Sequence, residues 1–276
     1  MIPISICWNV TSACNLNCGF CYRARDLRQL DPRHWAYILE RISQAGIRRI
    51  VFGGGEPFLV RQFDELLAEA KRQKLFVSVI TNGTRQNEAV RAANDGLIDE
   101  VVTSIDGPSR EAQFLIRGGT PELLSKQIFL LSALTNSSLR LRVNTVAMKG
   151  NRRDIPRIGE LFQNLRLDEW HIMQFYPLHD SIKQQAKFSI SPGEFEELCA
   201  ELESRWGSSI PLIYGTNDSM SRAYLSIDPD GMVYTSTPSS KLVLGSIFSV
   251  DFSKVLDDQL SGEVHTAKYL HVKDWL

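Results

Sequence analysis

Along the first two-thirds of the chain, short runs rich in β-branched and aromatic residues alternate with longer amphipathic stretches. The runs at 4–10, 49–52, 76–81, 100–105, 139–146 and 170–176 read as strands. The stretches at 32–44, 61–72, 86–94, 121–134 and 155–164 carry apolar residues at helical spacing. Asp31-Pro32 supplies a cap and a first-turn proline, and Gly46 supplies a stop. Strands alternating with helices make a parallel sheet with crossover helices. Six strand–helix units fall short of the eight of a closed barrel. The pattern therefore predicts an α/β fold, an open, partial (β/α)6 barrel.

After Tyr176 the pattern changes. Ser191-Pro192 opens a helix that runs to about Trp206, with Phe195, Leu198, Cys199 and Leu202 on one face. Residues 224–227 and 232–235 flank the turn Asp228-Pro229-Asp230-Gly231 and read as a β-hairpin. This divides the chain into a barrel at 1–185 and a short C-terminal appendage at 186–276.

The chain has 276 residues, 43% hydrophobic and 23% charged, with a formal net charge of −1. That balance gives no electrostatic reason for general binding to nucleic acid or to anionic membranes. The longest apolar runs, such as Ile128 to Leu131, are far shorter than a membrane span. The first residues carry neither a basic region nor an apolar secretory segment. A cytoplasmic protein is expected. The five cysteines are odd in number and three crowd into 14–21, which points to a metal or redox site rather than to a disulfide framework.

Those three follow the first strand directly, as Cys14-Asn15-Leu16-Asn17-Cys18-Gly19-Phe20-Cys21. A closed zinc site takes four ligands, and a ferredoxin-type cluster takes four cysteines. Three thiolates leave one iron of a [4Fe–4S] cluster open to a small molecule. The second strand runs into Gly53-Gly54-Gly55-Glu56-Pro57. Glycines let backbone approach a ligand closely, and the C-terminal ends of strands are where barrel enzymes bind ligands. No Lys-Ser/Thr follows, so this is not a P-loop. Glu56 is a candidate acceptor for an ammonium group.

The two motifs in this order resemble the radical SAM superfamily over roughly residues 4–180. The resemblance implies that Cys14, Cys18 and Cys21 hold a [4Fe–4S] cluster whose fourth iron takes the amine and carboxylate of S-adenosylmethionine (SAM). It implies that Gly53, Gly54, Gly55 and Glu56 contact the SAM amino group. Ser104 and Asp106, in Ser104-Ile105-Asp106-Gly107, correspond to a segment near the SAM ribose and carboxylate. Arg117 corresponds to a carboxylate-binding arginine, and Asn144 and Gln174 to ribose and active-site positions. Asn82, in Thr81-Asn82-Gly83, is placed on the same rim. For Asn82, Asn144 and Gln174 a turn or cap role is the alternative. The implied chemistry is reductive cleavage of SAM to a 5′-deoxyadenosyl radical, which abstracts hydrogen from substrate. It implies oxygen sensitivity and an external electron donor of flavodoxin or ferredoxin type.

The tail from Leu225 to Ile247 resembles the SPASM or twitch region of many of these enzymes, where extra cysteines bind auxiliary clusters. Here Thr235-Ser236-Thr237-Pro238 stands instead, and no cysteine follows Cys199. One cluster per chain is therefore expected, with non-oxidative outcomes such as epimerisation favoured. The twitch-like tail suggests a peptide substrate, as in modification of ribosomally made peptides. The alternative is a small-molecule, nucleotide or sugar substrate, as in viperin-like enzymes. Viperins place Asn, His and Arg where this chain has Cys7, Asn9 and Ser12. A non-enzymatic iron–sulfur protein is the reading from another class. Ser5, Cys7, Asn9 and Thr11 share one face of the first strand. Cys7 is thus a candidate hydrogen donor to a substrate radical, or a small buried thiol. Arg140 and Arg142 share parity with Asn144 and point either into the lumen, towards a phosphate or carboxylate, or to the surface.

Overall fold

The computed structural model describes residues 5–252 and residue 255. Seven strands follow one another in parallel: β1 Ser5–Thr11, β2 Arg49–Gly54, β3 Phe76–Thr81, β4 Glu100–Ser104, β5 Arg140–Ala147, β6 Glu169–Gln174 and β7 Leu212–Gly215. Between them lie α1 Trp35–Gln44, α2 Phe63–Arg72, α3 Gln86–Asn94, α4 Arg110–Arg117, α5 Leu123–Leu134, α6 Ile155–Ile158, α7 Gln185–Phe188 and α8 Pro192–Trp206. After β7 come α9 Asn217–Met220 and the strands β8 Ser226–Ile227, β9 Met232–Thr237 and β10 Ser240–Ser246. The sheet order is β10-β9-β8-β1-β2-β3-β4-β5-β6-β7. It is open, α/β and built around a parallel sheet, as the alternation of runs predicts.

Period-two alternation sorts each strand. On β1, Ile6, Trp8 and Val10 join the core beneath the helices, while Cys7 and Asn9 take the opposite, lumen face. Trp8 packs on Phe52 at 6.0 Å, and Phe52 meets Phe63 of α2 edge-on at 5.8 Å. Helix α1 buries Trp35, Ile38, Leu39 and Ile42, an i, i+3, i+4, i+7 stripe.

Besides β7 and β10, which the sequence pattern does not announce, three elements depart from expectation. Helix α4 lies in a stretch to which the sequence pattern assigns no element; Ser109 caps it by accepting from Ala112 N. The helix expected over 155–164 is instead α6 followed by a 3-10 turn, Gly159–Phe162. Its Pro156 carbonyl accepts from the Trp206 indole at 2.7 Å, and Gly159 sits so close to that ring that a Cβ would lie 2.3 Å from it. Finally, the hairpin is continuous with the barrel sheet: β8 pairs in parallel with β1, Cys7 opposite Ser226 and Trp8 opposite Ile227.

Arg140 and Arg142 do point inward, but at the strands' N-terminal ends. There Glu100 pairs with Arg49, accepts from Ser78 Oγ at 2.5 Å, and has Arg140 at 3.7 Å and Arg142 at 3.8 Å. Burial works to raise the Glu100 pKa, but Arg142 and Arg49 outweigh it and hold it at about 2. Arg142 also reaches Glu169 at 3.5 Å. These arginines belong to a charge-compensated floor, at the end of the sheet opposite the cysteine loop.

Candidate active site

The cysteine loop begins where β1 ends. Thr11 turns it by accepting from Ala13 N at 3.1 Å. The glycine run locks onto the turn from the side: Gly55 N donates to Thr11 O at 2.7 Å and Glu56 N to Ala13 O at 2.9 Å. A Cβ on Gly55 would lie 1.9 Å from Ala13 O, and one on Gly54, at φ +104°, 2.6 Å from Thr11 O. Only glycine permits this approach. Gly53 differs, because a Cβ there would meet only ordinary contacts, Asn9 Oδ1 at 3.8 Å and Cys7 Sγ at 4.0 Å. Its bare backbone keeps the lumen open beside Asn9 and Cys7.

Within the loop Cys18 is buried, and Cys14 and Cys21 are half-buried. Leu16, Phe20, Leu123, Met148 and Phe175 form an apolar shell with Cys18, and Cys14 and Cys21 pack against it. Cys18 Sγ lies 3.2 Å from Arg117 O, Asn82 Nδ2 3.6 Å from Cys14 Sγ, and Arg23 Nη1 3.9 Å from Cys21 Sγ. Among the described residues no three His, Cys, Asp or Glu side chains converge as ligands of a single ion would. A cubane cluster asks for something else, one thiolate on each of three irons. Three thiols on one apolar loop, with donors near two of the sulfurs, fit that requirement.

Residues 8–168, more than half of the chain, match the radical SAM superfamily. The chain belongs to that superfamily. It is an enzyme, and its cofactors are a [4Fe–4S] cluster and SAM. The chain is 23% identical over 270 residues to an S-adenosylmethionine-dependent nucleotide dehydratase of Flammeovirga pacifica, covering 94% of this chain and 91% of that one. A second such dehydratase, from Lacinutrix mariniflava, is 23% identical over 267 residues. There the match takes in 91% of this chain but only 54% of the relative. In fold the chain is similar to Streptococcus suis SuiB bound to its precursor peptide SuiA, with a TM-score of 0.74 at 19% identity over 96% of this chain and 67% of that one.

Seen as a radical SAM site, the other expected residues divide. Glu56 is fully buried beneath the glycine run: its carboxylate accepts from Asn82 N at 2.7 Å, Thr81 Oγ1 at 2.8 Å and Phe58 N at 3.3 Å. Burial pushes its pKa up to about 7 against these donors. Its place in the fold is a post that ties the end of β2 to the end of β3. Asn82 also donates to Asn15 Oδ1 at 2.9 Å and so braces the cysteine loop. Asp106 is buried and pairs with Arg117, while Val146 N donates to its other oxygen at 2.7 Å. Burial lowers the Arg117 pKa, but Asp106 and Cys18 outweigh it and raise it further, so the guanidinium stays charged beside Cys18 and over the Phe20 ring at 5.6 Å.

Ser104 stands opposite Asn144, and Asn144 opposite His171, in one row across β4, β5 and β6. Asn144 Oδ1 is buried and has no protein partner, the kind of orphan that a bound ligand satisfies. Gln174 is a correction. It shares parity with Trp170 and Ile172, on the helix side, where its amide donates to Ile190 O at 3.1 Å and accepts from Asn217 N at 3.0 Å. Both polar ends of Gln174 are occupied away from the lumen. His171, three residues earlier, has the parity that the expected β6 contribution requires, and sequence reasoning passed over it.

The C-terminal strands, with His179 from the turn after β6, supply residues not singled out as site candidates in the sequence. Tyr234 OH accepts from Asn9 Nδ2 at 3.0 Å, His179 meets the Tyr234 ring edge-on at 6.1 Å, and Lys241 lies over that ring at 4.7 Å while pairing with buried Asp228. His179 holds a left-handed backbone, φ 50°, a strain that collects at functional sites.

Proposed function

We propose that the chain abstracts a hydrogen atom from a nucleotide-sized small molecule held between the glycine run and the Asp228–Lys241 hairpin, with Cys7 positioned to return one. The reading rests on one observation above the rest. The hairpin continues the sheet past β1, and the bond between Asn9 and Tyr234 closes the lumen on that side with a ring that is 3% exposed. A space walled in this way suits a compact substrate. The likeness to nucleotide dehydratases, one over nine-tenths of both chains, supports the same class.

When bound, the cluster and SAM supply the 5′-deoxyadenosyl radical. The chain's residues do the rest. Cys14, Cys18 and Cys21 hold the cluster, Gly53 leaves room for SAM, and Asn144 offers its orphaned oxygen to a hydroxyl or amine. The apolar shell of Phe20, Phe175 and Met148 excludes water from the site. Burial, with Asp228 nearby, pushes the Cys7 pKa up to about 12, so the sulfur keeps its hydrogen at neutral pH. Transfer breaks the S–H bond and forms a substrate C–H bond. The thiyl left behind takes one electron from the external donor and one proton.

A peptide substrate is the second reading. It is favoured by β10, an edge strand whose Val243 is 53% exposed, open to an added strand. The likeness in fold to SuiB is consistent with it. Deoxyadenosine release under dithionite, measured with ribonucleotides, sugar nucleotides and short peptides in turn, separates the two. Stimulation by a nucleotide supports the first reading, and stimulation by peptides alone overturns it.

A further inference from the structure

We infer that Gln113 and Gln127, two buried glutamines on α4 and α5, are positioning residues for SAM: together they fix the ends of β3 and β4 that form one rim of its site. This rests on membership of the radical SAM superfamily and on the expected place of Asn82, Ser104 and Asp106 along that rim.

Helix α4 buries one residue fully, and that residue is Gln113. Gln127 is likewise buried, among the leucines of α5. A buried amide costs free energy unless its donors and acceptor are matched, and here they are. Gln113 Nε2 donates to Ser104 O at 3.1 Å and to Gln127 Oε1 at 2.7 Å. Its Oε1 accepts from Asp106 N and Gly107 N, both at 2.9 Å. Gln127 Nε2 donates to Asn82 O at 2.8 Å and to Ser104 O at 2.9 Å. Every side-chain amide hydrogen of the pair is used. The two backbone N–H groups decide which end of Gln113 faces them, and that end in turn decides how Gln127 lies.

Two glycines make the approach possible. A Cβ on Gly83, at φ +81°, would lie 2.7 Å from Gln127 Cγ, and one on Gly107 would lie 2.6 Å from Gln113 N. The segments held in this way also carry the bonds to the cysteine loop. The Asn82 side chain donates to Asn15 Oδ1 at 2.9 Å, and Asp106 pairs with Arg117, whose carbonyl lies 3.2 Å from Cys18 Sγ. Contacts thus run from Asn15 through Asn82, Gln127, Gln113, Asp106 and Arg117 back to the loop at Cys18. Neither glutamine has an amide hydrogen left for a ligand, so the pair acts through the rim rather than on SAM itself. Removing partners that orient ligand-holding groups typically costs about 10–100-fold in affinity or activity.

The test uses the reconstituted full chain and its Gln127→Met and Gln113→Glu variants. Gln127→Met keeps the reach of the side chain and removes the donors to Asn82 O and Ser104 O. Gln113→Glu keeps the shape and the acceptance from Asp106 N and Gly107 N, and removes the donor to Ser104 O. Trp206→Phe is the control, because it removes a buried bond to Pro156 O between α8 and α6. The readouts are iron per chain, the thermal midpoint, the Kd of SAM, and kcat and KM for deoxyadenosine formation under dithionite. Both glutamine variants should keep the iron of the unaltered chain and raise the Kd and KM of SAM about tenfold, with kcat little changed. Trp206→Phe should lower the midpoint and leave the KM of SAM as it was. An unchanged KM in both glutamine variants, an equal rise in Trp206→Phe, or loss of iron or of the folded chain in both overturns the positioning role. Absence of SAM binding by the unaltered chain would instead overturn the radical SAM site itself, and the rim with it.

Discussion

Asn9 and Tyr234 are 225 positions apart, and the side-chain amide of one donates to the hydroxyl of the other at 3.0 Å. That bond ties the C-terminal hairpin to the strand that launches the cysteine loop. Replacing Tyr234 with Phe keeps the ring and removes the acceptor. The variant should lose about 1 kcal/mol, seen as a thermal midpoint lower by roughly 2–4 °C. An unchanged midpoint would show that the tie contributes nothing.

Two neighbouring glycines should behave differently. Gly55→Ala puts a Cβ 1.9 Å from Ala13 O, so the turn before Cys14 must move, and both stability and iron incorporation should fall. Gly53→Ala meets nothing closer than 3.8 Å. Its stability should stay within about 0.5 kcal/mol of the unaltered chain, while SAM affinity, measured by equilibrium binding, falls. Equal effects of the two changes would contradict the distinction.

Glu56 gives a pH signature. Burial raises its folded pKa from 4.5 to about 7, so the folded state holds the proton more tightly than the unfolded state. The stability from this group is complete below about pH 4.5 and is lost as pH rises through 7, to the extent of roughly 3 kcal/mol. Glu56→Gln should remove that slope from urea-derived stabilities measured between pH 5 and 8 on the chain without its cluster. A slope unchanged in Glu56→Gln would assign the dependence to another group.

Cys7→Ser should leave deoxyadenosine formation intact and abolish hydrogen return, read as loss of solvent deuterium from the product. Full product turnover in Cys7→Ser would reduce Cys7 to a packing role.

Local motifs were the legible part of this site. Cys14, Cys18 and Cys21 and the run Gly53–Gly55 stand out in the sequence because each motif is a matter of spacing within a few residues. Partners that the fold brings together were not legible. Glu56 can be singled out from its motif, but the bonds it accepts from Thr81 and Asn82, 25 and 26 positions away, cannot. Arg140 and Arg142 have the expected parity, but Glu100 and Glu169 answer their charge. Gln174 and His171 differ by an odd number of residues, so period two puts them on opposite faces. Strand β8 is two residues long, too short for any period to announce its parallel pairing with β1.

The central claim is one cluster, held by three cysteines, that cleaves SAM. Anaerobic reconstitution with iron and sulfide, followed by SAM and dithionite, tests it directly. The account predicts about four irons per chain and formation of 5′-deoxyadenosine, both lost in the Cys14→Ala/Cys18→Ala/Cys21→Ala variant. About eight irons per chain, or four irons without SAM cleavage, would contradict it.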